Sequence, residues 1–284
     1  MKISSYLKRW FPLFALPTTL AFILAFVVPF VLGFWLSFNQ FTTVTDGKWV
    51  GLRNYQQAFQ PDINGSPSVL RALLFSTLLT VVSVIMVNVF AFALASILTK
   101  AIKGRNIFRA IYFLPNLIGG IVLGYVWQVL LNALLINTIG KPLTFSPAYG
   151  FWGLVLLVNW QMIGYMMVIY IAGIQNIPGD VIEAAEIDGA GYWRRLFRVT
   201  IPMLMPSITI CTFLTLSNCF KLFDQNLALT PGPRTQGLAL DIFNTFYNQN
   251  LSGVGQAKAV MFFLLVALIA FIQLRATRSK EADG

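Results

Sequence analysis

Six stretches of this chain are apolar for long enough to cross a bilayer as helices: roughly residues 11–38, 70–98, 107–132, 151–175, 201–222 and 256–274. The pattern predicts an all-α membrane protein, with residues 1–284 read as a single transmembrane domain of six helices. At 57% hydrophobic residues, with 25 Phe and 7 Trp, the chain holds more apolar surface than one water-soluble core of this length needs. The first stretch follows Lys8 and Arg9 as the core of a signal peptide would. It is longer than the roughly 7–15 apolar residues of such a core, and it reads as an uncleaved helix.

Six crossings place both ends on one side, and the basic residues indicate which side. Lys2, Lys8 and Arg9 precede the first helix; Lys100, Lys103, Arg105 and Arg109 follow the second; Arg194, Arg195 and Arg198 follow the fourth; Arg275, Arg278 and Lys280 follow the sixth. The opposite side has mainly Lys48, Arg53, Lys141 and Arg234, although its loops at 39–69 and 223–255 are the longer ones. Both termini are therefore expected in the cytoplasm. Much of the formal charge of +10 is then an orientation signal, and no nucleic acid is needed to explain it.

Patterns that carry chemistry are few. With no His and no CxxC, no conventional transition-metal site is expected. Cys211 and Cys219 share one apolar stretch at a helical separation too large to bridge, and read as packing residues. There is no GxxxxGK[ST] phosphate loop, Ser/His/Asp set, Cys/His pair or intramembrane carboxylate pair, so no catalysis by this chain is expected.

Asn88, Asn159, Gln161, Asn218 and Lys221 lie within or near the ends of the predicted spans, where polar groups are costly unless they face protein or water. Two readings stand: hydrogen bonding between helices, or a polar translocation path. Asn218, Lys221 and Asp224 are spaced by three, so a helix continuing that far carries them along one side. Lys221 then lines a path, pairs with Asp224, or snorkels to the surface.

Four of the ten acidic residues, Asp180, Glu183, Glu186 and Asp188, crowd into the loop between the fourth and fifth predicted helices. Pro178 and Gly179 end the preceding helix, and Asp180 with Glu183 has the Asp-x-x-Glu form that caps a new one. Gly189 suits the left-handed stop, and Ala184 and Ala185 keep the helix surface low. After Gly191, Trp193, Leu196 and Phe197 fall on one face and Arg194, Arg195 and Arg198 on another, before Pro202 and Pro206 mark the next crossing. Residues 178–200 are thus predicted to form a cytoplasmic helix-turn-helix.

"EAAEIDGAGYWRRLFRVTIPMLMPS" closely resembles the EAA loop of binding-protein-dependent ABC importer permeases, through Glu183, Ala184, Ala185, Asp188, Gly189 and Ala190, then Ile201, Pro202 and Pro206. "WVGLRNYQQAF", "IYFLPNLIGGIVLGYVW" and "FKLFDQNLALTPGP" look like the carbohydrate-type members; the last has fewer glycines before its proline than is usual there. The resemblance implies half of the pore of a type I importer in a bacterial or archaeal cell membrane. Implied partners are a second, different permease, a dimer of ATP-binding subunits and an extracytoplasmic solute-binding protein. ATP and Mg are expected in the ATP-binding subunits, with no cofactor on this chain. Glu183 and Asp188 are then contacts and caps at the ATPase joint, Ala184 and Ala185 allow close packing, Gly189 makes the turn, and Ala190 belongs to the same ATPase-coupling motif.

A neutral sugar needs amide, hydroxyl and aromatic groups, which nominates Asn159, Trp160, Gln161 and Tyr165 for the path, with Asn218 and Lys221 as further candidates. Two other classes are compatible with a polytopic, basic-inside chain. An ion-coupled secondary transporter would carry intramembrane acids and repeats, whereas the acids here sit in loops or at helix ends. A scaffold that anchors a cytoplasmic partner would need only the loop.

Overall fold

The computed structural model describes residues 5–41, 43, 46–60 and 68–281, so Lys2 of the predicted basic flank lies outside the described residues. In chain order the elements are α1 (Ser5–Phe22), α2 (Val28–Leu36), the antiparallel pair β1 (Asn39–Gln40) and β2 (Lys48–Trp49), and α3 (Arg53–Phe59). There follow α4 (Val69–Leu98), α5 (Arg105–Phe113), α6 (Gly120–Ile139), α7 (Pro147–Gln175), α8 (Gly179–Ile187), α9 (Tyr192–Arg195), α10 (Ile201–Met203) and α11 (Met205–Phe220). The chain ends with α12 (Asp224–Leu229), α13 (Leu238–Phe243) and α14 (Ser252–Glu281). Among the described residues five helical stretches are long and apolar enough to cross a membrane: Leu13–Leu36, Val69–Leu98, Gly120–Ile139, Pro147–Gln175 and Ser252–Ile272. The bent pair Tyr192–Met203 with Met205–Phe220 makes a sixth only when its two helices are counted as one span.

The chain packs as two compact units, Met1–Pro61 with Ile242–Leu265, and Asp62–Asp241 with Val266–Gly284. In the first, a π turn at Ile23–Val27 joins α1 to α2 just before Pro29, which has no amide N–H to donate. The carbonyls at the end of α2 are satisfied by side chains: Ser37 Oγ donates to Phe34 O at 2.6 Å and Asn39 Nδ2 to Trp35 O at 2.7 Å. Asn54, from the stretch WVGLRNY, donates to the carbonyls of Ser37 and Asn39, both at 2.9 Å, and so pins α3 to the end of the first span.

In the second unit α4 and α7 form the principal helix pair. The buried seam of α4 runs Ala72, Ser76, Thr80, Ser83, Val87, Ala91, Ala95, at spacings of three and four, while Leu74, Leu78, Ile85 and Val89 are exposed. This inverts a water-soluble helix: small and hydroxyl side chains face protein so that backbones approach, and large aliphatic ones face outward, as lipid as solvent requires. The seam continues with Tyr170, which donates to Asn88 Oδ1 at 2.5 Å, and with Asn159, whose Nδ2 donates to Val155 O at 2.7 Å and to Ser83 Oγ at 3.3 Å. Arg109 Nη2 donates to Leu98 O at 2.6 Å, placing a cation on the last turn of α4, where the helix dipole is negative.

Two expected spans differ from the sequence reading. The stretch 107–132 is not one helix: α5 tightens to a 3₁₀ turn at Leu114–Leu117 around Pro115, passes through extended backbone at Ile118 and Gly119, and only then resumes as α6, which runs to Ile139. The stretch 201–222 breaks at Leu204, between Pro202 and Pro206, with a 68° bend. A π turn at Leu196–Thr200 again precedes a proline, as in the first span.

Gly164 of α7 lies against the Tyr112 carbonyl at the end of α5, so closely that a Cβ there would overlap it. Gly164→Ala should lower the melting temperature of the solubilised protein by the equivalent of about 1–3 kcal/mol. Gly179→Ala, with nothing within 4 Å of its Cβ position, should leave it unchanged.

Candidate functional site

Two features of the second unit carry the candidate chemistry. The first is the acidic turn. Gly179 opens α8 after Pro178, and no side chain caps it; Asp180 sits inside the first turn, so the predicted Asp-x-x-Glu cap is not formed. Pro178 has taken the cap position because its extended backbone leads directly into the helix, and Asp180 still meets the positive end of the dipole. At the other end the chain makes a Schellman stop: Gly189 is left-handed at φ +71°, its N–H reaches Glu186 O at 3.0 Å, and Ala190 N–H reaches Ala185 O at 3.0 Å. Asp188 is the C-cap residue. Beyond the turn, Arg195 pairs with Glu186, tying α9 back onto α8. Glu183, Ala184, Asp188 and Gly189 are exposed, and Ala185 and Ala190 half-buried. Ile187, which sequence reasoning passed over, is 85% exposed beside them.

The second feature is a cavity of about 330 Å³ lined by Asn116, Gln161, Tyr165, Asn218, Lys221, Asp224, Gln225 and neighbouring apolar side chains. It forms beside two breaks in the helical backbone, one between α5 and α6 and one between α11 and α12. The interruptions are braced by polar groups: Gln161 Nε2 donates to the carbonyl of Ile118 at 3.2 Å, and Gln161 Oε1 accepts from Gln225 Nε2 at 2.7 Å. Gln161 is the central residue of Pro147–Gln175, 14 from either end, so the cavity is level with the middle of a span-length helix. Broken backbone at that depth is tolerated where it is buried in protein or lines an aqueous path.

Of the six residues nominated for the path, Gln161, Tyr165, Asn218 and Lys221 line this cavity. Asn159 is instead buried in the α4–α7 seam, and Trp160 is turned toward α6, edge-on to Trp127 at 5.5 Å. Helix α11 stops at Phe220, so Asn218, Lys221 and Asp224 do not share one helix, yet the break folds all three around one space. Among the described residues no ion pair joins Lys221 to Asp224. Asn116 and Gln225 were not foreseen; Pro115 and the pair Gly119-Gly120 are the sequence signals of a break near Asn116. Asn226, buried, holds the outgoing loop by donating to Thr235 O and accepting from Gly237 N, both at 2.8 Å.

The description of a family of binding-protein-dependent transport system inner membrane components matches residues 101–280, which span the acidic turn, the bent helix and both interruptions. The chain belongs to this family. It is 39% identical over 285 residues to the probable starch degradation products transport system permease protein AmyD of Thermoanaerobacterium thermosulfurigenes, covering 96% of each chain. It is 31% identical over 264 residues to the trehalose/maltose transport system permease protein MalF of Thermococcus litoralis, covering 87% of this chain and 86% of that one. In fold it is similar to a chain in the crystal structure of a bacterial ABC transporter involved in import of the acidic polysaccharide alginate, with a TM-score of 0.77 and 19% identity over 96% of this chain and 97% of the other.

In this family member the acidic turn depends on one backbone conformation. Gly189→Val forces a β-branched residue into the left-handed region. Amide hydrogen exchange at position 189 and at Ala190 should accelerate strongly in this variant, with exchange along α4 and α7 unchanged.

Proposed function

We propose that this chain is the permease subunit of an ATP-driven importer and forms half of the translocation path for a sugar or oligosaccharide. The observation that carries the reading is the union, in one packed unit, of a polar cavity level with the middle of α7 and an exposed acidic turn, joined through α11. Its relatives include permeases named for starch degradation products and for trehalose and maltose, which supports a carbohydrate cargo. A cavity offering amides at Asn116, Gln161, Asn218 and Gln225, a phenol at Tyr165 and opposite charges at Lys221 and Asp224 suits a neutral, hydroxyl-rich solute.

In this reading the turn around Glu183–Ala190 is cytoplasmic and docks on an ATP-binding subunit, both termini lie in the cytoplasm of a prokaryotic cell, and a second permease completes the pore. The binding protein delivers solute from outside; the alginate neighbour was crystallised with its ligand-bound periplasmic protein, which supports such a partner. ATP binding closes the two ATP-binding subunits and turns the permeases outward-open, and hydrolysis returns them. Family membership speaks against ion-coupled transport as the energy source.

Proteoliposomes containing the complete complex, loaded with ATP, should accumulate a labelled mono- or oligosaccharide only when the binding protein is outside; accumulation driven by an ion gradient without ATP would refute the proposal. Gln161→Leu should cut uptake about tenfold or more, since it strips two hydrogen bonds of about 1 kcal/mol each from the breaks, while ATPase subunits still co-purify. Glu183→Ala should do the reverse, reducing the yield of co-purified ATPase while the permease inserts normally.

A further inference from the structure

The segment between the acidic turn and the fifth span has no role in the function proposed above, yet its side chains are sorted with unusual sharpness. Trp193 and Phe197 lie four apart and are 67% and 61% exposed, with near-parallel rings 19° from coplanar at 6.2 Å. Arg194 and Arg198, also four apart, form a second exposed stripe next to the first. Leu196, Val199 and Thr200 are half-buried on the remaining side. Among the described residues no ion pair holds Arg194 or Arg198, whereas Arg195 is taken by Glu186.

The bend at Leu204 determines where these stripes go. Helix α11 belongs to a span, and Tyr192–Met203 leaves it at 68°. Twelve residues extend about 18 Å, and at that angle they descend only about 7 Å along the axis of α11. For a span near the membrane normal the whole segment therefore stays within the roughly 5–10 Å that interfacial helices occupy. The charges are partitioned to match. Residues 179–188 carry four acids and no base, and residues 192–203 carry three arginines and no acid. An anionic membrane surface repels the first group and attracts the second.

We infer that Tyr192–Met203 is seated on the membrane surface, with Trp193 and Phe197 among the upper acyl chains and Arg194 and Arg198 on the phosphates of anionic lipids. Indole rings favour the headgroup boundary, and each arginine near an anionic surface strengthens binding about fivefold. The seat fixes the height and heading of the acidic turn relative to the bilayer, so a push on that turn bends the chain at Leu204 and does not simply displace the loop. The inference rests on the cytoplasmic placement proposed above.

The test uses the complete complex in vesicles of phosphatidylcholine brominated on its acyl chains, with and without phosphatidylglycerol. Bromine should quench part of the tryptophan fluorescence, and Trp193→Phe should remove a measurable share of that quenching. ATP-driven uptake should rise severalfold with phosphatidylglycerol in the wild type and stay flat in the Arg194→Gln/Arg198→Gln variant, with equal ATPase co-purification. Unaltered quenching in Trp193→Phe, the same lipid response in both proteins, or loss of ATPase from the arginine variant would overturn the inference, the last assigning the stripe to the ATPase joint. Uptake without ATP would overturn the importer reading instead, and the quenching measurement would still decide where the segment sits.

Discussion

A peptide group inside hydrocarbon has no water to bond, so every interruption of a membrane helix must be repaired by the protein itself. In this chain two breaks stand side by side level with the middle of α7; Gln161 repairs one by donating to the backbone carbonyl of Ile118, and it ties the other to it by accepting from the side-chain amide of Gln225. The remaining arrangement follows from that choice. At the breaks, Asn116, Asn218, Lys221 and Asp224 gather around one space. The close approach at Gly164 and the small-residue seam of α4 let α7 lie near enough for one amide side chain to span the gap.

The second unit also separates its tasks along α11. One end begins at Leu204, where the chain turns toward the acidic knob, and the other stops at Phe220, on the edge of the cavity. Sixteen helical residues, about 24 Å, connect them. In the proposed importer such a rod transmits tilt without needing a chain of side-chain rearrangements, because packed helices move as bodies more readily than they deform. Cys211 and Thr215, buried on α11, and Gly173, which faces Ser207, give the rod a smooth bearing against α4 and α7.

The apolar runs, the acidic turn and the left-handed glycine were legible in the sequence because each is a local signal: run length, charge density, and a glycine after a helical stretch. The breaks were not. Pro115 was visible, but whether a proline kinks, caps or interrupts a span depends on what stands opposite it, here Gln161, 46 residues later. The same limit explains Asn159 and Trp160, which share a short polar patch with Gln161 yet point to the α4 seam and to Trp127. Successive residues on a helix are about 100° apart, so three neighbours cannot share one face, and the sequence does not say which of them turns toward the cavity. Glu186 received no role from the sequence, and its pairing with Arg195 appears only once the turn brings that residue back beside it.

The first unit is assembled from the two ends of its surroundings in sequence: residues up to Pro61 pack with Ile242–Leu265, and the 180 residues from 62 to 241 intervene. At ordinary translation rates of about 5–20 residues per second, the opening span waits about 10–40 s before its packing partners are made. During that time its leucine- and phenylalanine-rich surface has only lipid or the insertion machinery for company, and Gly253, which packs against the Asn39 carbonyl and the Asn54 amide, does not yet exist. The first helix must therefore wait for the last, and substitutions that slow insertion of the middle spans should increase degradation of an N-terminal helix they never touch.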